Sequence, residues 1–422
     1  MSVEMFKKHY PVVIVGGGQA GLSVSYRLKK KGIEHLVLEK RQILNSWKTQ
    51  RWDSFTLVTP NWQCTLPDHP YDGNDPKGFM NRNETIDYLE RFAAKVDAPV
   101  LENVAVERIW KREAGGYHVL TSKGELSCDQ VVVASGGYHQ PIIPRMAERL
   151  PESILQIHSN QYKNAAQLPE GAVLVVGSGQ SGAQIAEDLH LEGKKVFLAV
   201  GNAPRVARKY RGKDVVEWLD DMDYYKMTVD KHPLREGVRD NTNHYVTGRD
   251  GGRDIDLRKF ATEGMELFGV LENYDGACLT FRPDLKENLA FADSVYNNIN
   301  TRIDKYIVEQ GIDAPEESHY KPVWEPEEER DTLDLAGSGI TSIVWCIGFR
   351  PDFTWLDAPV FNGRGTPVHY RGVTQAPGIY FIGLPWLNTW GSGRFSGIAE
   401  DSAYLADTIQ QNVVSTTTTE VA

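Results

Sequence analysis

Paired cysteines are missing from this chain. Its 422 residues hold four, Cys64, Cys128, Cys278 and Cys346. None lies in a Cys-x-x-Cys pair, and the spacing is not that of a zinc site. This excludes a redox centre built on two adjacent thiols, and no metal site is expected. Positive charge is also short. Lys and Arg number 46 against 57 Asp and Glu, a net charge of -11, which argues against a general nucleic-acid or anionic-membrane surface. No apolar run is long enough to span a bilayer. Residues Met1 to Tyr10 lack the apolar core of a signal peptide, so a cytoplasmic protein is expected. The only internal repeat is a pair of nucleotide-binding units, and the length itself calls for two domains.

Glycine marks those units. Gly16-Gly17-Gly18-Gln19-Ala20-Gly21 follows the apolar run Val12 to Val15. Gly177-Ser178-Gly179-Gln180-Ser181-Gly182 follows Val173 to Val176. A continuous apolar run is how a buried parallel strand reads. In a G-x-G-x-x-G turn the first Gly makes the tight turn. The second admits a pyrophosphate to the backbone, and the third lets the helix pack on the strand. The helix then points its free N–H groups at the phosphates. The first helix is expected from about Ala20 to Lys31, with a second strand Leu36 to Leu38 ending in Glu39. An acid there suits an adenosine ribose, with Lys40 beside it.

The second copy has no such acid. After Val196 to Val200 come Arg205, Arg208, Lys209 and Arg211. Cations at this position suit a ribose 2′-phosphate and favour NADP(H), with a solvated basic loop as the alternative.

The spacing predicts an α/β protein of two Rossmann-like dinucleotide-binding domains. The first unit closes with the strand Gln130 to Ala134, preceded by an antiparallel hairpin through Lys123-Gly124. The proline-bearing stretch Tyr138 to Pro144 is a linker. Ser342 to Gly348 and Gly378 to Gly383 repeat the strand-then-glycine pattern. The expected division is therefore 1–168 plus 340–422 for the first domain, with 169–339 inserted and a disordered tail over 412–422. Between Trp218 and Ser318 helices are expected over Leu257 to Phe268 and Ser294 to Gln310. The charged turn Thr247 to Asp254 is either a phosphate-ordering loop or a structural bridge.

With these residues in hand, the chain resembles the class B flavoprotein monooxygenases: flavin-containing monooxygenases, Baeyer–Villiger monooxygenases and YUCCA-like enzymes. The resemblance covers most of the chain and rests on several motifs. These are both fingerprints, Trp47, Arg51 to Pro60, Leu66 to Pro70, Ser135-Gly136 and Ile347 to Phe353. The family's linker motif, Phe-x-Gly-x-x-x-His-x-x-x-Tyr/Trp, is met at His158 and Tyr162 but not at Glu152 and Ile154.

The resemblance implies a three-layer ββα flavoprotein fold with FAD at the first site and NADPH at the second. The flavin site would take in Trp47, Arg51, Trp52, Ser135, Gly136, Gly348, Gly383 and Gly397, with Val104 near the adenine. Asn61 is the catalytic candidate, as a hydrogen-bond donor to the flavin or its peroxide; its alternative role is to cap the turn after Pro60. The implied reaction puts one atom of O2 into a small organic substrate through a C4a-(hydro)peroxyflavin, in a chain open to homodimer assembly. Two alternatives stay open: an NADPH-dependent flavoprotein reductase, and a flavin-binding protein without catalysis. The aromatic, glycine-rich stretch Trp386 to Phe395 is a candidate pocket wall.

Overall fold

The computed structural model describes residues 7–241 and 243–419, with side chains to Val413. Residues 1–6, where a signal peptide was sought, and the end of the expected tail, 420–422, lie outside the described residues.

Two sheets carry the fold. The first is centred on His9–Val15, which runs parallel to both His35–Glu39 and Gly124–Val133. Val12, Val13 and Ile14 have no exposed surface, as a strand covered on both faces requires. On one side Val100–Glu102 extends the sheet. On the other, Tyr117–Thr121 makes the expected antiparallel hairpin with Gly124–Val133, and Val106–Lys111 pairs antiparallel on its far edge. Ile379–Phe381 returns late in the chain to pair in parallel with Gly124–Val133.

The second sheet is wholly parallel, in the order Leu155–His158, Ile340–Trp345, Ala172–Val176, Val196–Ala199, Glu266–Phe268. It lies between the early and late strands of the first sheet in sequence, so the inserted arrangement holds. Its edges differ from expectation. Leu155–His158 and Ile340–Trp345 both belong to the second sheet, so that unit begins before 169 and ends after 339. Ala172–Val176 needs Ile340–Trp345 as its neighbour, and Met146, Ala147 and Leu150 pack beneath that layer.

The two units are joined by two crossings that pair with each other: Gln140–Pro141 is antiparallel to Phe349–Arg350. His158 sits over this joint. It is fully buried, with Nε2 3.0 Å from the Gly348 carbonyl oxygen and Nδ1 3.1 Å from Asn160 Oδ1. Burial lowers its pKa, so it is neutral near pH 7.

Three helices depart from the sequence reading, and the one expected over Ser294 to Gln310 already begins at Leu285. The one expected over Leu257 to Phe268 stops at Thr262, and Glu266–Phe268 becomes the edge strand. Gly264, at φ +104°, makes the break. The last helix runs Ile398–Thr419, through most of the tail expected to be disordered. Ile409 and Val413, four residues apart, hold it on the first unit's core. No helix among the described residues is long and apolar enough to cross a membrane.

Candidate active site: two glycine cradles and the segment between them

At the first cradle, Gly16 has φ +114° and a Cβ there would lie 2.6 Å from the Ala134 carbonyl oxygen. A Cβ on Gly21 would run into the Gly16 carbonyl, so the helix Gln19–Lys30 packs hard on the strand it follows. Gly18, at the helix N-cap, faces open space. Gly136 and Gly348, both at positive φ, face open space too. The Ser135 hydroxyl is buried without a partner. Gly383 brings the returning strand against the Cβ of Ala20, and Gly397 abuts Gly391 at the start of the last helix.

Glu39 sits at this rim. Its carboxylate accepts from Gly17 N at 2.7 Å and Arg41 N at 2.8 Å, which fixes it at the end of the second strand with lone pairs to spare. Lys40 beside it is exposed. Val104 is fully buried behind the rim, and its N–H donates to the Glu39 carbonyl. An open N-cap, an acid at the second strand end and an orphaned hydroxyl fit an adenine dinucleotide.

The second cradle repeats the design. Gly177 has φ +99° with Cys346 O against it, Gly182 is pressed on the Gly177 carbonyl, and Gly179 is the N-cap of Gln180–Leu191. Ser181 is half-buried in the first turn. The Ser178 hydroxyl accepts from Gly201 N at 3.0 Å, closing the end of the second strand where an acid would stand. Gln180 donates to the Val246 carbonyl.

The arginines that follow do not face this cradle. Arg205 is buried, its Nε 3.1 Å from Asp293 and its guanidinium 3.9 Å from the Tyr320 ring centre. Arg208 is buried too, donating to Asp214 at 2.6 Å and to the Val58 carbonyl at 2.7 Å. Expected to read a 2′-phosphate, they instead tie loops together, held among buried carboxylates, the Val58 carbonyl and aromatic rings. Arg211 likewise binds Asp304 at 3.0 Å.

One segment spans both cradles. Trp47 Nε1 donates to Gln19 Oε1 at 2.7 Å, and Gln19 Nε2 donates to the Gly393 carbonyl at 3.0 Å. Arg51 lies 4.6 Å above the Trp47 ring. A few residues on, Trp52 packs in the core of the second unit. The Ser54 hydroxyl donates to Asp188 on the second cradle's helix. Tyr162 and Arg249 donate to the same carboxylate at 2.7 and 2.8 Å. Arg253 donates to Glu187 at 2.7 Å, so the charged turn is a bridge that clamps helix to loop. The segment Trp47 to Thr56 thus sets the distance between the cradles.

Asn61 is not in this cleft. It is buried, its amide donates to the Asp75 carbonyl at 2.9 Å, and its Oδ1 accepts from Met80 N at 2.7 Å. Backbone groups of a neighbouring loop hold both ends of its amide, a structural role in place of the catalytic one expected of it. Three of the four cysteines are equally unsuited to redox work. Cys64, Cys128 and Cys346 are buried, and burial pushes the Cys64 thiol up to about 12. Cys128 and Cys346 are pushed up further, so none is a ready thiolate.

Sequence reasoning missed the lid of the cleft. Residues 222–241 fold over the stretch Trp386 to Phe395: Thr228 bridges Thr389, and Val229 N donates to the Asn388 carbonyl at 2.8 Å. Tyr225 lies 4.6 Å from Trp390, ring centre to ring centre. The aromatic content was the available signal, but its pairing partner lies far off in sequence.

The family model for pyridine nucleotide-disulphide oxidoreductases matches residues 13–245, more than half of the chain. The chain belongs to this family. It is an oxidoreductase. It is 29% identical over 400 residues to an uncharacterized CzcO-like oxidoreductase of Geobacillus kaustophilus, covering 94% of this chain and 97% of that protein. It is 31% identical over 196 residues to the probable indole-3-pyruvate monooxygenase YUCCA4 of Arabidopsis thaliana, 46% of this chain and 47% of that one. Among solved structures, a flavin-containing monooxygenase from Stenotrophomonas maltophilia shares the fold at a TM-score of 0.66 and 18% identity. That match covers 96% of this chain and all of that one. Like other pyridine nucleotide-disulphide oxidoreductases, this chain is expected to use a flavin and a nicotinamide nucleotide.

Proposed function

We propose that this chain is a monooxygenase that takes FAD at the Gly16–Gly21 cradle and NADPH at the Gly177–Gly182 cradle, and oxygenates a small organic substrate in the cleft between them. The observation that carries this is the single segment Trp47 to Thr56. It touches Gln19 at one cradle and Asp188 at the other, so two bound dinucleotides would meet across it. FAD would supply the two-electron chemistry that activates O2 once the nicotinamide has reduced it.

The chain's own residues bind, orient and keep the site dry. The N-cap amides around Gly18 and Gly179 would hold the two pyrophosphates, and Glu39 the adenosine ribose. Trp47, Phe55 and Phe395 form an aromatic wall, with Trp47 5.2 Å from Phe395 and 6.1 Å from Phe55. That wall, with the lid over Trp390, would keep water away from the reacting centre. With Arg205 and Arg208 turned inward, the preference for NADPH rests on the resemblance alone, and NADH is the control nucleotide.

The test is turnover under 18O2 with a panel of sulfides, amines, ketones and aryl acids. One 18O atom in a product, with one reduced nucleotide consumed per product, is the expected result. Nucleotide oxidation whose electrons pass to an added quinone, with no labelled product from any of the panel, would replace this reading by the reductase one.

A further inference from the structure

Gly248 is a glycine without a backbone reason to be one. Its φ of -94° and ψ of -1° are angles that side chains adopt in turns. The reason is space. A Cβ there would run into the Leu57 carbonyl and lie 2.7 Å from Phe79 Cβ. Four residues on, Gly252 stands at φ +89°, and its Cβ would lie 2.6 Å from Phe79 Cε2. Leu57 and Phe79 belong to the first unit, and both glycines to the charged turn of the inserted one. Arg208 covers a face of the same ring, its guanidinium 4.6 Å from the centre. Phe79 is thus a half-buried ring of the host seated in a socket of the insert.

Both sides of this contact are tied to a cradle. On the first unit's side, the Met80 carbonyl accepts from Leu57 N at 2.9 Å, and Arg82 N donates to the Phe55 carbonyl at 2.8 Å. The ring therefore rides on the segment that begins at Trp47. On the other side, Arg249 and Arg253 bind Asp188 and Glu187 at 2.8 and 2.7 Å. The carbonyl of Val246, just before the turn, accepts from Gln180 and Gln184 at 2.8 and 3.0 Å. Gln180 opens the helix whose N-cap is Gly179. Ring, turn and cradle helix form one chain of direct contacts, and close packing lets none of them slide alone.

We propose that Phe79 is a positioning residue: seated between Gly248 and Gly252, it fixes where the second dinucleotide lies relative to the first, and so the gap that hydride crosses. It acts through the turn rather than on a ligand. Its effect falls on placement, which the transfer step reads steeply, since about 1 Å of misplacement costs up to roughly a hundredfold in rate. The exposed pair Lys77–Glu217, at 2.9 Å, joins the same loop to the insert. A surface ion pair holds little, so Lys77 is the control for the loop without the ring.

This inference rests on the reading of the two cradles as dinucleotide sites. The FAD-loaded full chain is mixed without oxygen against NADPH and NADH. In Phe79→Ala the limiting rate of flavin reduction should fall about ten- to a hundredfold, with FAD content and nucleotide Kd within about twofold of the parent. Phe79→Leu should recover part of the rate, Gly248→Ala should slow it as Phe79→Ala does, and Lys77→Ala should leave it unchanged. Amide hydrogen exchange adds a readout that needs no nucleotide. The Arg249 and Gly252 amides donate to Thr247 Oγ1 and the Arg249 carbonyl at 3.0 Å each. In Phe79→Ala they should exchange about tenfold faster. Unchanged limiting rates in Phe79→Ala and Gly248→Ala would overturn the proposal, as would unchanged exchange. So would a slower rate explained by lost FAD or by an equally weakened Kd, which would make the ring a binding or purely structural residue. If Phe79→Ala does not fold, Phe79→Leu and Gly248→Ala carry the same test. Variants that match a parent reduced by nucleotide sink this proposal alone. A parent whose FAD neither nucleotide reduces sinks the reading beneath it.

Discussion

Arg205→Ala separates two uses of one cation. If Arg205 read a 2′-phosphate, its loss would weaken NADPH and spare the fold. The structure predicts the reverse. The side chain is 3% exposed, with Nε 3.1 Å from Asp293 and Nη1 3.6 Å from Asp256. Tyr320 and Tyr296 flank it at 3.9 and 4.5 Å. Breaking a buried pair by removing one partner costs about 3–5 kcal/mol. Asp293 keeps Arg258 at 2.9 Å, and Asp256 caps the helix Leu257–Thr262, so the low end, about 3 kcal/mol, applies. If the second unit melts as a body in the 150–250 residue class, each kcal/mol moves Tm by about 2–4 °C. Arg205→Ala should then melt about 6–12 °C lower, followed by tryptophan fluorescence at fixed FAD concentration. Calorimetry with 2′,5′-ADP and 5′-AMP should show both affinities moving together, their ratio within about twofold of the parent. A selective loss of 2′,5′-ADP with an unmoved melt would refute the assignment of Arg205 to the core.

Two further expectations follow from burial. Asn61→Ala should lower stability by about 1–3 kcal/mol, because Met80 N–H and the Asp75 carbonyl lose their partner; the yield of oxygenated product per nucleotide consumed should stay unchanged, and a fall in that yield with an intact melt would return Asn61 to the reaction. Glu187 is 2% exposed, and burial lifts its carboxyl from 4.5 to about 7 against the pull of Arg253 and Arg249. Between those values the folded chain holds a proton that the unfolded chain has released, so this residue's contribution falls as pH rises from about 4.5 to 7 and is flat above, a loss on the order of 3 kcal/mol. Glu187→Gln should gain stability relative to the parent over that window, and melts at pH 5 and 7.5 with the same offset would contradict it.

The glycine turns were legible because their evidence is local: a strand, three glycines and a helix lie within a dozen residues. The arginines were not. A basic run has the same composition whether it faces solvent or folds inward, and what decides is the position of Asp293 and of the Val58 carbonyl, both remote in sequence. Asn61 failed for the same reason, since Met80 and the Asp75 carbonyl claim it from a neighbouring loop. The strand Leu155–His158 was hidden in the resemblance to a linker motif, although His158 and Tyr162 fit that motif. The stretch Trp386 to Phe395 was visible as aromatic and rich in glycine, but its pairing with Tyr225 and Thr228 is a property of three dimensions only.

The crossings Gln140–Pro141 and Phe349–Arg350 lie side by side in one short ladder. Neighbouring strands stand roughly 4.8 Å apart, so the inserted unit leaves and re-enters its host through almost a single point. A twist delivered to either crossing is shared by the other, and neither can be stretched alone. His158, bonded to Gly348 at that point, sits where the torque passes. The same closeness means that the host's two cut ends would nearly touch if the insert were removed, so the first sheet could be rejoined by a short turn.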